Sequence, residues 1–131
     1  MGECFYLSKI SLTWDQARTH CQGMGAELAV PRHVYGLKSY VVQENGPSAS
    51  WVGARESEME EESGATETES KDVEYRWEWV DGSVAEPELI FSKFPNKRLN
   101  HKLCLELRKD RHPTLDYRTC VTSQRFICQI L

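Results

Sequence analysis

The 131-residue chain lacks any apolar run of the roughly eighteen or more residues that a membrane-spanning helix needs. It has no Asn-x-Ser/Thr acceptor site, no Cys-x-x-Cys pair and no histidines at zinc-finger spacing. A nucleophile elbow, a His-Glu-x-x-His sequence and a paired-carboxylate motif are also missing, so the sequence does not indicate an enzyme. Aromatic residues, by contrast, are plentiful: four Trp, five Tyr and four Phe exclude wholesale disorder.

The formal net charge of −4 conceals a strong separation of charge along the chain. Residues 1–53 are neutral overall. Residues 54–92 carry thirteen acidic and three basic side chains (net −10), and residues 93–131 carry three acidic and nine basic ones (net +6). Such a separation indicates charged partners. Nucleic acid is a poor candidate, because the acidic segment would repel phosphates near the basic one.

Five cysteines are many for a chain of this length and favour a disulfide framework in an oxidising, extracellular compartment. They stand at positions 4, 21, 104, 120 and 128. An odd number leaves at least one thiol without an internal partner. Spacing alone leaves three connectivities open for any four of them.

Hydrophobic periodicity predicts an α+β fold. A first helix begins at Trp14, with Thr13 and Gln16 forming a capping box, and a second spans about 32–44. Residues 28–31 read as a short apolar link between them. The predicted strands cover 4–12, 50–53, 75–80, 103–107, 118–120 and 124–130.

Two long connections separate the later strands of what we expect to be a single domain, 1–131. Residues 54–74 hold nine acidic and two basic side chains and are predicted to be a flexible, solvated loop insertion. Residues 83–102 show no periodicity and are predicted to be a long irregular loop.

Three motifs, in this order and spacing, resemble those of C-type lectin-like domains. They are Trp51-Val52-Gly53-Ala54, Trp79-Val80-Asp81-Gly82-Ser83 and Phe126-Ile127-Cys128. The resemblance covers about residues 4–129. It implies two helices packed on small antiparallel sheets, a long irregular loop and two disulfides, Cys21 to Cys128 and Cys104 to Cys120.

Cys4 resembles the second cysteine of an N-terminal hairpin pair in longer family members. It is therefore expected to be unpaired, either because its partner lies upstream or because it links two chains; we favour the first.

The resemblance also implies where a calcium-dependent sugar site would lie. Its acidic triplet aligns with Phe94-Pro95-Asn96, its acid before the third framework cysteine aligns with Lys102, and its last ligands align with Leu115-Asp116-Tyr117. Calcium needs six to eight oxygen ligands, several of them charged, and only Asn96 and Asp116 keep such groups. Glu86-Pro87-Glu88 looks like the triplet but lies too far from Cys104. We therefore predict no metal and no cofactor.

Basic and aromatic side chains crowd the same loop and predict a different kind of site, because a cation can attract an anion directly. The predicted function is a non-enzymatic extracellular recognition module, part of a larger protein, that binds a sulfated glycan, a lipid head group or an acidic protein surface without calcium. The candidate ligand-binding residues are Phe91, Lys93, Phe94, Asn96, Lys97, Arg98, Lys102 and Asp116.

Four alternatives remain open at the level of sequence. The bases could be solubilising only, or they could pair with the acidic loop. The domain could bind proteins through Phe91 and Phe94, since exposed aromatic residues are typical anchors of interfaces. It could also be a calcium-dependent lectin with a non-standard site.

Overall fold

A computed structural model describes residues 3–58, 75–93 and 101–131. It contains two α-helices, seven β-strands and one 3₁₀ turn within those ranges. In chain order the elements are β1 (Cys4–Leu7), α1 (Trp14–Gly23), β2 (Ala26–Leu28), α2 (Val34–Gln43), β3 (Ala49–Glu58), β4 (Tyr75–Trp79), the 3₁₀ turn (Pro87–Leu89), β5 (Leu103–Arg108), β6 (Leu115–Thr119) and β7 (Ile127–Ile130). Neither helix is long and apolar enough to cross a membrane.

The strands form two small antiparallel sheets, which confirms the α+β prediction. One sheet has the order β1-β7-β2, and the other has the order β4-β3-β5-β6. Strand β3 also touches the first sheet, because the amide of Gly53 donates to the carbonyl of Ala29 over 2.9 Å. The two sheets thus meet beside the Trp51-Val52-Gly53-Ala54 motif.

Local signals in the sequence place both helices correctly. The Thr13 side chain accepts from the Gln16 amide while the Gln16 side chain accepts from the Thr13 amide, so the predicted capping box is present. Helix α1 buries Trp14, Ala17 and Cys21, at the spacing of one helical face. The Trp14 indole donates to the Val52 carbonyl over 2.8 Å and fixes α1 on β3.

Two disulfides tie the helix and the strands together. Cys21 in α1 bonds to Cys128 in β7, and Cys104 in β5 bonds to Cys120 just after β6. These are the two pairs that the resemblance implies. Cys4 is a free, exposed thiol.

Several predicted boundaries were wrong. The strand predicted at 118–120 begins earlier, at Leu115 in β6, and the strand predicted at 124–130 begins later, at Ile127 in β7. The first strand ends at Leu7 rather than Leu12. Strand β2, paired with β7, was not predicted, and it includes only Leu28 of the predicted apolar link. The acidic loop was predicted from residue 54, but residues 54–58 continue β3 and pair with β4. These residues form a strand despite their acidic side chains, because Glu56 is only 7% exposed and accepts a hydrogen bond of 2.8 Å from the Leu103 amide. The rest of that predicted loop lies outside the described residues.

The connection after β4 is tied to the sheet at several points. Gly82 has a φ of +94°, which suits glycine, and its amide closes the turn on Trp79. The Ser83 hydroxyl and amide donate to the Asp81 carboxylate and lower the pKa of Asp81. The chain then returns along β4, where the Ala85 amide donates to Trp77, before it reaches β6.

Candidate ligand-binding site

The Asp116 carboxylate lies at the centre of the predicted site, and both of its oxygens already have partners within the protein. Strand β6 buries this residue to 3% exposure. One carboxylate oxygen contacts the Arg111 guanidinium and accepts from the Ser92 hydroxyl at 3.3 Å. The other accepts from the Tyr117 amide at 2.9 Å. An internal ion pair therefore neutralises the carboxylate.

The segment before Lys93 is held against β6 by its backbone. The Phe91 amide donates to the Leu115 carbonyl over 2.7 Å, and Ile90 forms a parallel bridge with the same residue. The Phe91 side chain stays 50% exposed, with the Arg111 guanidinium 5.1 Å from the centre of its ring. Arg111 therefore contacts both the buried carboxylate and the exposed ring, which is a favourable place for a cation.

Tyr117 fixes the next residue of this segment. Its ring stacks on Trp77 with 5.5 Å between the ring centres, and its hydroxyl donates to the Lys93 carbonyl over 3.1 Å. Burial raises the pKa of Tyr117, and the nearby Asp116 charge raises it further. The hydroxyl therefore stays protonated at neutral pH and keeps donating to the Lys93 carbonyl.

Between β4 and residues 84–93 lies a groove of about 410 Å³ that we call the apolar cleft. Its walls combine exposed apolar side chains with bases. Val84 and Phe91 are 47% and 50% exposed, and Lys93 is exposed at one side. Its lining includes Arg76, Trp77, Val84, Ile90, Phe91 and Lys93.

Lys102 lies on a different groove, which we call the polar cleft. This groove holds about 640 Å³ and is lined by charges of both signs, among them Arg55, Glu58, Glu78, His101 and Lys102. Tyr75 lines both clefts, so the two are neighbours.

The candidate residues thus fall into two groups. The structure brings Phe91, Lys93 and Asp116 together and places Lys102 on the neighbouring cleft. Phe94, Asn96, Lys97 and Arg98 lie outside the described residues.

The described residues do not fit the calcium ion that the family resemblance raises. Asp116 already faces a guanidinium, and Lys102 stands where an acid is required. Glu86 and Glu88 are exposed at the 3₁₀ turn. Within residues 3–58, 75–93 and 101–131, no three His, Cys, Asp or Glu side chains converge into a group that could hold a metal.

Two residues of the site, Arg111 and Arg76, were not predicted from the sequence. Arg111 is one of several bases around the β5–β6 connection, and only the folded hairpin turns it back towards Asp116. Arg76 stands between two aromatic residues in a predicted strand. The alternation of that strand was a usable signal, because it puts Arg76 on the face opposite the buried Trp77.

The family model for the lectin C-type domain matches residues 10–130. The chain belongs to the C-type lectin domain family. It is 30% identical over 104 residues to mouse C-type lectin domain family 4 member G, covering 79% of this chain and 31% of that protein. The chain spans between 29% and 48% of the length of the curated relatives it matches.

Solved structures share the fold at low sequence identity. Human lithostathine superposes with a TM-score of 0.70 at 17% identity, over 99% of this chain and 84% of that one. A type II antifreeze protein described as calcium-independent superposes with a TM-score of 0.65 at 22% identity, over 98% and 86%. The C-type lectin-like fold predicted from the motifs is confirmed.

Proposed function

We propose that this domain is a non-enzymatic extracellular recognition module that binds an anionic ligand without calcium. The observation that carries the proposal is the internal Arg111–Asp116 ion pair, which satisfies the remaining calcium-type carboxylate. Lys93 and Lys102 stay exposed on the two neighbouring clefts. The two disulfides support an oxidising, extracellular setting. A sulfated glycan is the ligand class that the first test addresses.

If the clefts bind the ligand, retention of the domain on heparin should depend on the positions of its basic residues and not only on its total charge. We expect Lys93→Ala/Lys102→Ala to bind heparin about fivefold more weakly, because each exposed charge pair contributes a fraction of 1 kcal/mol. The measurement is the salt concentration at elution, with affinity checked by titration.

Lys9→Ala/Arg32→Ala is the matched control for that variant. It removes the same charge from exposed residues that line neither cleft. Equal losses in the two double variants would show that retention follows net charge, and the proposal would then be wrong.

Calcium independence predicts that calcium leaves thermal stability unchanged. We expect the same melting temperature in about 5 mM calcium and in chelator. A native-state site with a dissociation constant of about 1 mM would add about 1 kcal/mol under these conditions and raise the melting temperature by about 3–5 °C. A rise of that size would favour a calcium-dependent lectin with a non-standard site.

A protein-interaction surface is the second candidate function. It is favoured by the exposure of Phe91 and Val84, at 50% and 47%, on one cleft. Heparin retention that survives the Lys93→Ala/Lys102→Ala change would leave this as the better candidate.

A further inference from the structure

The wall of the apolar cleft contains a guanidinium without a close acceptor among the described residues. The Nε atom of Arg76 is shielded from solvent and has no hydrogen-bond partner among the described residues. The other end of the guanidinium makes a loose ion pair with the Glu78 carboxylate, at 3.8 Å. The Arg76 side chain as a whole is 40% exposed, so the outer part of its guanidinium can bind an acceptor from outside the chain.

A second base faces the same cleft. Lys93 is exposed and has no carboxylate partner in the part of the chain that the structure describes. An oxyanion between Arg76 and Lys93 would receive a guanidinium N–H and an ammonium charge together. Charge-assisted hydrogen bonds of this kind are the strong ones.

The rest of the cleft is apolar and of a size that suits a small molecule. Val84, Ile90 and Phe91 line it, and about 410 Å³ falls within the common range of ligand pockets. Such pockets are mainly apolar, with a few polar groups that fix orientation. A bare inorganic anion would leave Val84 and Phe91, 47% and 50% exposed, in water.

We propose that the apolar cleft binds a small amphiphilic oxyanion, in which a sulfate, phosphate or carboxylate group is attached to an apolar body. The oxyanion accepts from the exposed part of the Arg76 guanidinium and pairs with Lys93, while the body covers Val84 and Phe91. This inference rests on the proposed preference for anions and goes beyond it by naming the class of ligand.

Three probes separate the two halves of the ligand, using the intact domain and titration calorimetry. Hexyl sulfate carries both halves, sodium sulfate carries only the anion, and hexyl glucoside carries only the apolar chain. We expect hexyl sulfate to bind at least about tenfold more tightly than either of the others, since each half alone gives up one set of contacts. Equal affinity for hexyl sulfate and sodium sulfate would overturn the proposal.

Substitutions at the cleft test the assignment of the donor. Arg76→Lys keeps the positive charge but removes the planar set of guanidinium donors, and we expect it to weaken the binding of hexyl sulfate about tenfold. Glu78→Gln removes the competing carboxylate, 3.8 Å away, and should tighten binding. A gain of binding cannot arise from misfolding. Unchanged binding in both variants would show that Arg76 is not the donor.

A matched pair of variants tests the contact between the apolar body of the ligand and Phe91. Phe91→Ala should weaken hexyl sulfate severalfold and leave sodium sulfate unchanged. Val121→Ala shortens an apolar side chain that is 75% exposed outside the cleft, and it should change neither.

The heparin experiment separates failure of this inference from failure of the proposed function. Heparin retention that depends on Lys93 and Lys102, without a preference for hexyl sulfate, keeps the function and overturns the inference. Loss of both overturns both.

Discussion

Replacing Cys21 and Cys128 by alanine is expected to destabilise the domain by about 4–5 kcal/mol. This disulfide closes a loop with a sequence separation of 107, so its loss frees the unfolded chain over most of its length. Both cysteines are also fully buried between α1 and β7, so shortening them removes core contacts as well. A domain typically has about 5–15 kcal/mol of stability, and this change would remove a large share of it.

The measurement is urea unfolding of the oxidised proteins, with Cys104→Ala/Cys120→Ala as the internal comparison. That second bond has a sequence separation of only 16, so we expect about 3 kcal/mol from the same entropy argument. Cys4→Ala, at an exposed free thiol, should change the stability by less than about 0.5 kcal/mol. An equal or larger loss from the shorter loop would contradict the ranking.

The features that could be predicted from the sequence are those coded within a few residues. The capping box depends on Thr13 and Gln16, three positions apart, and the structure contains both of its hydrogen bonds. The glycine turn after Trp79 is coded equally locally. The disulfide pairs were different: spacing left three connectivities for any four of the five cysteines, and only the resemblance to the family selected one.

The end of β3 shows why composition misled the prediction of the acidic loop. Counting charge assigned residues 54–58 to a solvated segment. In the folded chain Ala54 and Glu56 point inwards at alternate positions, and Glu56 gains a backbone partner at Leu103. A carboxylate that caps a neighbouring strand is invisible to a charge count, because its partner is 47 residues away.

The site could be predicted only in part, for a similar reason. Lys93 and Lys102 are close in sequence, yet the fold places them on two clefts. Arg111, from the β5–β6 hairpin, is the base that contacts Asp116. Arg76, from β4, is the base that lines the apolar cleft beside Lys93. Tertiary contacts decide which cation lies beside which carboxylate, and the distances between these groups cannot be derived from the sequence alone.

The glycine of the Trp51-Val52-Gly53-Ala54 motif has a physical basis in the close approach of the two sheets. Gly53 lies where the two sheets meet, and a Cβ atom there would be 2.8 Å from the Leu28 carbonyl oxygen and 3.0 Å from that of Ala29. Both are backbone atoms, so no side chain can rotate away to make room. The close approach also carries hydrogen bonds from the Gly53 amide to Ala29 and from the Val80 amide to Gly53, of 2.9 and 2.8 Å.

Gly53→Ala is therefore expected to cost about 3 kcal/mol or more, from overpacking together with strain on two backbone hydrogen bonds. Gly23→Ala is the matched control, because a Cβ at the end of α1 meets no atom within 4 Å. There the same chemical change should stabilise the protein by up to about 1 kcal/mol through helix propensity. For both variants the measurement is the urea concentration at the midpoint of unfolding. It reports stability as long as the dependence of the unfolding free energy on urea concentration is unchanged. Stability changes of opposite sign at the two glycines would show that position 53 requires glycine because a larger side chain does not fit. A Gly53→Ala variant as stable as the parent would contradict that explanation.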